Sequence, residues 1–232
     1  MNFAEWEPVY ERILADFGFD RAADERARDT LAELTNPFDF DRFDVTGETV
    51  IIAGAGPSLE ADCGRLAERI SDSTVFAAST AVDRLRGIGL TVDCMVTDVD
   101  KNPATVQELT DEGTPVAVHA HGDNESLVRD VVPTLDVEHV LGTTQAAPVD
   151  GVENFGGFTD GDRAAFLADH CGAARLHFVG WDFDDPSVSP VKHRKLVWAE
   201  RLLYWLEHRR DERFSVLDGR RDDIDTTALP VD

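Results

Sequence analysis

Lysine is scarce in this sequence of 232 residues, which contains only Lys101, Lys192 and Lys195. Acidic residues are abundant by contrast, since 46 aspartates and glutamates face 22 lysines and arginines and give a formal net charge of -24. A surface this acidic repels the phosphates of nucleic acids and the head groups of anionic membranes. The composition therefore excludes a general nucleic-acid or lipid-binding surface and favours small-molecule partners.

The acidic residues are spread along the chain and are separated by aliphatic and aromatic runs, which is not the composition of a disordered protein. Acidity of this kind with almost no lysine is typical of proteins from salt-loving archaea, in which concentrated cytoplasmic salt screens the self-repulsion. An acidic protein from a mesophile is the alternative. We expect a folded, halophilic archaeal protein with a substantial core.

Cysteine is also rare, and Cys63, Cys94 and Cys171 lie far apart in the sequence. They form no Cys-x-x-Cys pair and no cysteine–histidine cluster with zinc spacing, so we expect them to be buried and reduced. Residues 1–7 lack the basic region and the apolar core of a signal peptide, and no apolar run is long enough to span a bilayer. We therefore expect a cytoplasmic protein.

Short apolar runs rich in β-branched residues alternate with segments of helical spacing, and this alternation predicts an α/β fold. We predict a Rossmann-like, mostly parallel sheet flanked by helices. Its strands are expected to begin at about residues 49, 74, 91, 114, 137 and 175.

The chain divides into three predicted parts. Residues 1–45 are predicted to form two helices, which make up a small N-terminal helical appendage. We expect this appendage to pack on the core or to form a contact in a homo-oligomer rather than to take part in catalysis. Residues 46–210 are predicted to form the α/β catalytic domain. Residues 211–232 are predicted to form a polar tail, with one added strand at residues 214–217.

A glycine-rich turn is expected between the first strand and a helix that continues to about residue 70. In this arrangement backbone N–H groups and the positive helix end point at an anion. Gly54 and Gly56 allow the backbone to approach closely, Pro57 follows them, and Ser58 can cap the helix or donate to a phosphate. A tight turn without a ligand is the alternative.

This turn differs from two nucleotide-binding motifs. A dinucleotide fingerprint would have a third glycine where this chain has Leu59, and an acidic residue at the end of the next strand, where Ser79 and Thr80 stand. The chain has no Gly-x4-Gly-Lys-Ser/Thr loop, so it is not a P-loop enzyme. Because Ser79 and Thr80 lie at the same edge of the predicted sheet as the turn, ligand binding is favoured.

Two aspartates, Asp98 and Asp100, follow a short apolar strand. Alternate residues of an extended chain point the same way, so we expect the two carboxylates to face one point. Neighbouring carboxylates repel each other unless a cation binds, and Mg²⁺ held by one or two carboxylates and by substrate phosphates fits this need. Asp123, near the end of the next strand, is a candidate third ligand for the same metal.

Histidine and asparagine surround Asp123. His119 and His121 alternate with an alanine and therefore share one side of the strand. They are candidates for contact with substrate or phosphate, or for a catalytic base, and Asn124 ends the same segment. A zinc site is disfavoured because a third histidine or cysteine is not nearby.

Basic side chains are expected at the same site. Arg163 lies in the first turn of a predicted helix, where a positive charge is unfavourable unless it binds an anion. Lys192 and Lys195 stand close together in a chain that otherwise avoids lysine, which suggests pairing with phosphate. A solvated start of a helix is the alternative for this pair.

Three motifs carry a resemblance to a known family: Ala-Gly-Ala-Gly-Pro-Ser-Leu at residues 53–59, Thr-Asp-Val-Asp-Lys-Asn at 97–102 and His-Ala-His-Gly-Asp-Asn at 119–124. Their order and spacing resemble the archaeal 6-hydroxymethyl-7,8-dihydropterin pyrophosphokinase family, which is distantly similar to thiamine pyrophosphokinases. The resemblance covers residues 50–209. It implies Mg²⁺-dependent transfer of diphosphate from ATP to the pterin hydroxymethyl group, with release of AMP, in tetrahydromethanopterin or folate biosynthesis.

By this resemblance Asp98, Asp100 and Asp123 hold the metal and the ATP phosphates. The candidates for contact with the pterin ring are Asn154, Phe155, Phe158 and Trp181. Two functions of other classes remain as alternatives. The Asp-x-Asp pair also fits a metal-dependent nucleotide-sugar glycosyltransferase, and a non-catalytic nucleotide-binding module would bind ligand without turnover.

Overall fold

A parallel β-sheet forms the centre of the molecule, and the computed structural model describes residues 1–66, 70 and 73–231. The strands are β1 (Thr49–Ala53), β2 (Thr74–Ala78), β3 (Cys94–Thr97), β4 (Val116–Ala120), β5 (Val140–Thr144), β6 (Val152–Glu153) and β7 (Arg175–Val179). They stand in the order β6-β5-β4-β3-β2-β1-β7, and every neighbouring pair is parallel. The predicted Rossmann-like parallel sheet is confirmed.

Helices cover both faces of the sheet, as parallel strands require. They are α1 (Phe3–Phe17), α2 (Arg21–Ala32), α3 (Leu59–Arg65), α4 (Ala81–Gly87), α5 (Pro103–Asp111), α6 (Glu125–Val131), α7 (Asp160–His170) and α8 (Pro190–Arg210). Helices α2 to α6 pack on the face that carries Ile51 and Ala77, whereas α1, α7 and α8 pack on the face that carries Ile52 and Phe76. No helix among the described residues is both long enough and apolar enough to cross a membrane.

The strand order brings all the carboxyl ends to one edge of the sheet. From β1 to β6 the chain adds each strand beside the previous one, and α7 then crosses the opposite face and leads to β7 on the other side of β1. The direction of the connections therefore reverses beside β1. In open α/β sheets, ligands bind at the carboxyl edge at such a reversal.

The N-terminal helices contribute to the same cores as the rest of the chain. Helix α1 begins at a capping box of Asn2 and Glu5 and ends at Gly18, whose φ of 70° suits a left-handed C-cap. The ring of Trp6 stacks on Trp205 of α8 with ring centres 6.5 Å apart, and both side chains are buried. Helix α2 packs against α6 and the sheet.

Some local expectations differ from the structure. Residues 214–217 contain the 3-10 helix Ser215–Leu217 instead of a strand, because Phe214 and Leu217 are both buried and their spacing suits a helical turn. The strand expected from residue 137 begins at Val140, after a 3-10 turn. Strand β6 was not predicted. Part of the helix expected to reach residue 70, namely residues 67–69, lies outside the described residues.

Replacing Leu31 by alanine tests whether α2 belongs to the main core. Leu31 is fully buried, so Leu31→Ala should lower the free energy of unfolding by about 2–5 kcal/mol. The matched control is Leu127→Ala in α6, where the side chain is 36% exposed and the loss should stay below about 1 kcal/mol. Urea unfolding followed by tryptophan fluorescence measures both. Equal losses in the two variants would contradict the packing of α2 described above.

Candidate functional site

The turn after strand β3 carries Asp98 and Asp100. Strand β3 ends at Thr97, and Val99 has a left-handed backbone with a φ of 57°. A β-branched residue rarely adopts this conformation, and such strain occurs most often at functional sites. The Thr97 hydroxyl accepts a hydrogen bond from Val99 N–H at 3.0 Å and supports the turn. The expected strand alternation is therefore not what places the two carboxylates.

A cavity of about 130 Å³, here called the acidic cavity, lies beside this turn at the carboxyl edge of the sheet. The predicted site residues that line it are Asp98, Asp100, His121, Asp123, Arg163, Lys192 and Lys195. The other residues of its wall are Phe19, Lys101, Gln145, Phe158, Thr159 and Asp160. The fold thus brings the three predicted metal ligands and the predicted basic groups to one cavity.

Burial and the proximity of other carboxylates both act on the acidic groups of the acidic cavity. Burial and the neighbouring Asp98 raise the pKa of Asp100 to about 6. Burial and Asp98 also raise the pKa of Asp160 to about 6. Burial opposes ionisation of Asp98 as well, but interactions with the adjacent side chains of His121 and Asp100 outweigh it and hold the pKa of Asp98 well below its usual value. Asp98 is therefore the stable anion of this group.

Basic side chains offset part of this negative charge. Arg163 Nη1 lies 3.1 Å from Asp160 Oδ1. Burial, followed by the charges of Arg163 and Lys192, lowers the pKa of Lys195. The Nζ atom of Lys195 also lies 5.7 Å from the ring centre of Phe158. Because these cations disfavour one another's charge, a bound anion such as phosphate would stabilise them.

The glycine turn after β1 packs against the end of β7. A side chain at Gly54 would lie 2.5 Å from the Gly180 carbonyl oxygen, and one at Gly56 would lie 2.6 Å from it. Asp182 accepts hydrogen bonds from Ser58 N–H at 3.0 Å and from the Ser58 hydroxyl at 2.8 Å. The glycines are thus needed for the close approach of β7, and the Ser58 side chain does not cap α3. Pro57 is exposed.

A second cavity, of about 290 Å³ and here called the glycine-turn cavity, lies between this turn and the end of β7. The predicted residues that line it are Gly54, Gly56, Ser79, Thr80 and Lys192. Ser79 has a φ of 45°, and its buried hydroxyl has no hydrogen-bond partner within the described part of the chain. A strained residue with an unpartnered hydroxyl is typical of a ligand site.

The two cavities adjoin, because four residues line both. These are Lys101, Thr159, Asp160 and Lys192. A ligand in the glycine-turn cavity can therefore reach one in the acidic cavity.

His121 and Asn124 have different roles at the end of β4. The Nε2 atom of His121 lies 3.6 Å from Asp98 Oδ2, so the ring faces the acidic cavity. Asn124 is buried and lines neither cavity. Its amide donates to the carbonyl oxygens of Asp98 at 2.9 Å and His119 at 2.7 Å. Asn124 therefore positions the ends of β3 and β4 and is not in contact with either cavity.

His119 also lies away from both cavities. It is 2% exposed within β4, and its Nδ1 lies 3.1 Å from Thr143 Oγ1. His119 and His121 are neighbours, with ring centres 6.2 Å apart, but only His121 lines the acidic cavity. The direct ligand contact predicted for His119 has no support in this position.

Of the four candidates for contact with the pterin ring, two line a cavity and two do not. Phe158 lines the acidic cavity, and Trp181 lines the glycine-turn cavity. Asn154 and Phe155 are buried and line neither.

Sequence reasoning missed several residues of the site. Asp160 and Gln145 line the acidic cavity but were not predicted there. Lys101 was missed as well, although all three lysines of the chain line this cavity, so the scarcity of lysine was the usable signal. Asp24 of α2 is buried and accepts hydrogen bonds from Gly122 N–H and Gln145 Nε2, both at 2.7 Å. Because Asp24 and its hydrogen-bond partners are distant in sequence, no local sequence pattern indicates these contacts.

The acidic cavity fits a divalent cation that binds together with phosphate. Asp98 Oδ1 is buried and has no hydrogen-bond partner within residues 1–66, 70 and 73–231, as expected of a cation ligand. Proteins bind Mg²⁺ through one or two carboxylates, with phosphate and water completing the shell, and Asp98 and Asp100 meet this need. Within the same residues, no group of three or more histidine, cysteine, aspartate or glutamate side chains is arranged to hold a metal by itself.

The carboxyl edge of such a sheet is the usual ligand-binding edge, and the molecule is an α/β protein of the Rossmann-like class. Its family follows from comparison with family models, of which one matches residues 23–187. The chain belongs to that family, which is described as 6-hydroxymethylpterin diphosphokinase MptE-like. The family predicted from the three sequence motifs is confirmed.

Similar proteins cover nearly the whole chain. A relative from Methanothermobacter thermautotrophicus is 38% identical over 230 residues, which is 92% of this chain and 98% of the relative. A relative from Pyrococcus furiosus is 38% identical over 226 residues, and one from Methanocaldococcus jannaschii is 31% identical over 241. These two alignments cover 90% and 92% of this chain, and 95% and 99% of the relatives. All three are named 6-hydroxymethyl-7,8-dihydropterin pyrophosphokinase.

Among solved structures, the MAf glycosyltransferase from Magnetospirillum magneticum AMB-1 is similar at a TM-score of 0.44 and 18% identity. The similarity covers 74% of this chain and 29% of that one.

The raised pKa of Asp160 predicts a pH-dependent effect of Asp160→Asn on stability. Because the folded pKa, about 6, exceeds the usual value of 3.8, the folded state binds more protons than the unfolded state between these values. Wild-type stability should therefore lose the contribution of Asp160 as pH rises through this window. Asp160→Asn should be more stable than the wild type by about 3 kcal/mol at pH 7.5, and the difference should fall below about 1 kcal/mol at pH 4.

Urea unfolding at the two pH values measures this difference. Asp130→Asn, which removes an exposed carboxylate in α6, is the matched control and should change stability equally little at both. An Asp160→Asn protein that is less stable than the wild type at pH 7.5 would contradict the described repulsion.

Proposed function

We propose that this protein transfers diphosphate from ATP to the hydroxymethyl group of 6-hydroxymethyl-7,8-dihydropterin and releases AMP, in tetrahydromethanopterin or folate biosynthesis. Three relatives that are 31–38% identical over nearly their whole length bear the name of this enzyme. The observation that carries the proposal is the junction of the two cavities at Lys101, Asp160 and Lys192. Group transfer between two substrates needs such a junction, because the reacting atoms must meet in a fixed orientation.

The proposed reaction is an in-line displacement at phosphorus. The pterin hydroxyl oxygen attacks the β-phosphorus of ATP, the bond from that phosphorus to the oxygen that bridges it to the α-phosphorus breaks, and AMP leaves with that oxygen. Lys101 and Lys192 lie at the junction and would bind the transferred group. Arg163 and Lys195, in the acidic cavity, would offset the charge of the remaining phosphate oxygens.

The hydroxyl proton needs an acceptor within the same cavity. His121 and Asp123 both line the acidic cavity and are the proposed acceptors. A loose transition state at phosphorus requires little help from a base, so positioning and charge are expected to contribute more than proton transfer.

Asp98 and Asp100 are the proposed holders of Mg²⁺, with Asp123 as a further ligand. When bound, the ion would supply positive charge to the ATP phosphates and fix their orientation. The chain's own contribution is to hold the carboxylates in place. Two hydrogen bonds hold the backbone that carries these carboxylates. Val99 N–H donates to the Thr97 hydroxyl, and the Asn124 amide donates to the Asp98 carbonyl oxygen.

Incubation with ATP, Mg²⁺ and the reduced pterin in concentrated salt, followed by nucleotide analysis, tests the proposal. AMP should form only when the pterin is present, and EDTA should prevent it. Asp98→Asn should lower the rate by on the order of 10²–10³-fold, because it removes one of the charges that holds the ion at the phosphates. The fold should persist, since Asn124 bonds to the backbone of Asp98 and not to its carboxylate.

The matched control is again Asp130→Asn, an exposed change from aspartate to asparagine that should leave AMP formation unaltered. Other outcomes would replace the proposed function. Release of a nucleoside diphosphate from a nucleotide sugar would favour a glycosyltransferase, and ligand binding without any product would favour a non-catalytic module.

A further inference from the structure

Strands β3, β4 and β5, residues 155–156 and helix α7 line a small cavity of about 10 Å³, which is distinct from the two cavities described above. His119, Thr143 and Arg163 are among the residues that line it. Two of their polar atoms, His119 Nε2 and Arg163 Nε, are buried and have no hydrogen-bond partner among the residues that the structure describes. The two residues are only 2% and 8% exposed. Unpartnered polar atoms are rare in protein interiors, and two at one cavity require an explanation.

The tautomer of His119 follows from its contact with Thr143. The Thr143 hydroxyl lies 3.1 Å from the Val118 carbonyl oxygen, and we assign its single proton to that acceptor. It can then only accept from His119, so Nδ1, at 3.1 Å from it, carries the ring proton. Burial, followed by the charges of Arg163 and His121, lowers the pKa of His119 well below its usual value, so the ring is neutral. Its Nε2 is therefore an acceptor, and Arg163 Nε–H is a donor at the same cavity.

We propose that one buried water molecule occupies this cavity, accepts a hydrogen bond from Arg163 Nε–H and donates one to His119 Nε2, and that His119 acts through this water as a positioning residue for Arg163. The volume of the cavity is close to the smallest that holds a water molecule, and the residues that carry the unpartnered donor and acceptor both line it. The water satisfies both unpartnered atoms at once. This role also explains why a histidine occupies a position that neither ligand cavity reaches.

The other nitrogens of the Arg163 guanidinium are held by direct contacts. Nη1 donates to Asp160 Oδ1 at 3.1 Å, and Nη2 donates to Gln145 Oε1 at 3.4 Å. The amide of Gln145 is itself oriented by Asp24, whose Oδ2 accepts from Gln145 Nε2 at 2.7 Å. The water molecule provides the third contact, a hydrogen bond at Nε. A guanidinium held at all three nitrogens keeps one orientation toward the acidic cavity, as recognition of a planar or bidentate anion requires.

NMR spectroscopy and crystallography of the full chain test the water and the tautomer without reference to catalysis. In ¹⁵N-labelled protein at neutral pH, His119 should have a protonated Nδ1 and a bare Nε2, and Arg163 Nε–H should exchange slowly with solvent. A crystal structure should show one ordered water within hydrogen-bonding distance of both atoms. A protonated Nε2, or no water between the two side chains, would overturn the proposal.

Substitution of His119 tests the positioning role. His119→Met removes the acceptor but keeps a side chain of similar size, so the slowly exchanging Arg163 Nε–H signal should be lost. His119→Gln offers an amide oxygen near the position of Nε2 and should restore that signal. Survival of the signal in the methionine variant, or equal loss in both, would contradict a role through the water.

A second pair of variants applies if His119→Met does not fold. Thr143→Val removes the hydroxyl that fixes the tautomer and should allow a proton on His119 Nε2, whereas Thr143→Ser should keep the wild-type tautomer. The same tautomer in both variants would overturn the derivation.

The consequence for catalysis rests on the proposed function, and a double-mutant cycle measures it. His119→Met should lower kcat for diphosphate transfer by on the order of 10- to 100-fold through misplacement of Arg163. In an Arg163→Met background, it should cause no further loss, because His119 acts only through that arginine. Additive losses would overturn the positioning role. If the wild-type protein forms no AMP, the proposed function fails, while the NMR results still decide the water and the tautomer.

Discussion

Repulsion between carboxylates at the end of strand β3 is the constraint on which the rest of the site depends. Asp98 and Asp100 are held together by a turn with a strained Val99, and Asp160 adds a third carboxylate to the same cavity. The chain places all three of its lysines at the same cavity, in a protein with a formal net charge of -24. A site that gathers both signs of charge so closely is suited to a cation and phosphate bound together.

The parallel topology makes this gathering possible. Each strand ends at the same edge, so short turns after β1, β2, β3 and β4 bring residues from distant parts of the sequence to two adjoining cavities. The reversal of the connections beside β1 opens the space between the glycine turn and the end of β7. Helices α1 and α2 reinforce this edge from both faces, because Trp6 Nε1 donates to the Gln145 carbonyl oxygen and Asp24 binds the Gln145 amide.

Much of the fold could be predicted because buried parallel strands are continuous apolar runs, each with a local signal in the sequence. The acidic pair, Lys192 and Lys195 could also be predicted from residue type and spacing, whereas Lys101 was missed. The reason that the Asp98 and Asp100 carboxylates lie together could not be predicted, since the left-handed conformation of Val99 is imposed by the surrounding structure. The role of Gly56 was hidden for a similar reason: its close neighbours, Gly180 and Asp182, belong to a strand end more than a hundred residues away.

His119 shows the limit of reading polar residues at strand ends. A histidine next to the predicted cavity residues suggested a ligand contact, but β4 is an inner strand of the sheet and the His119 side chain is buried. Its partners, Thr143 and Arg163, lie on other elements, and only the assembled fold shows that they meet.

Anomalous diffraction from crystals grown with Mn²⁺ and a non-hydrolysable ATP analogue tests the central claim most directly. The account predicts one strong peak in contact with Asp98 and Asp100 and with phosphate oxygens of the analogue, beside Lys101 and Lys192. A peak at any other part of the molecule, or a nucleotide bound at the opposite edge of the sheet, would contradict it.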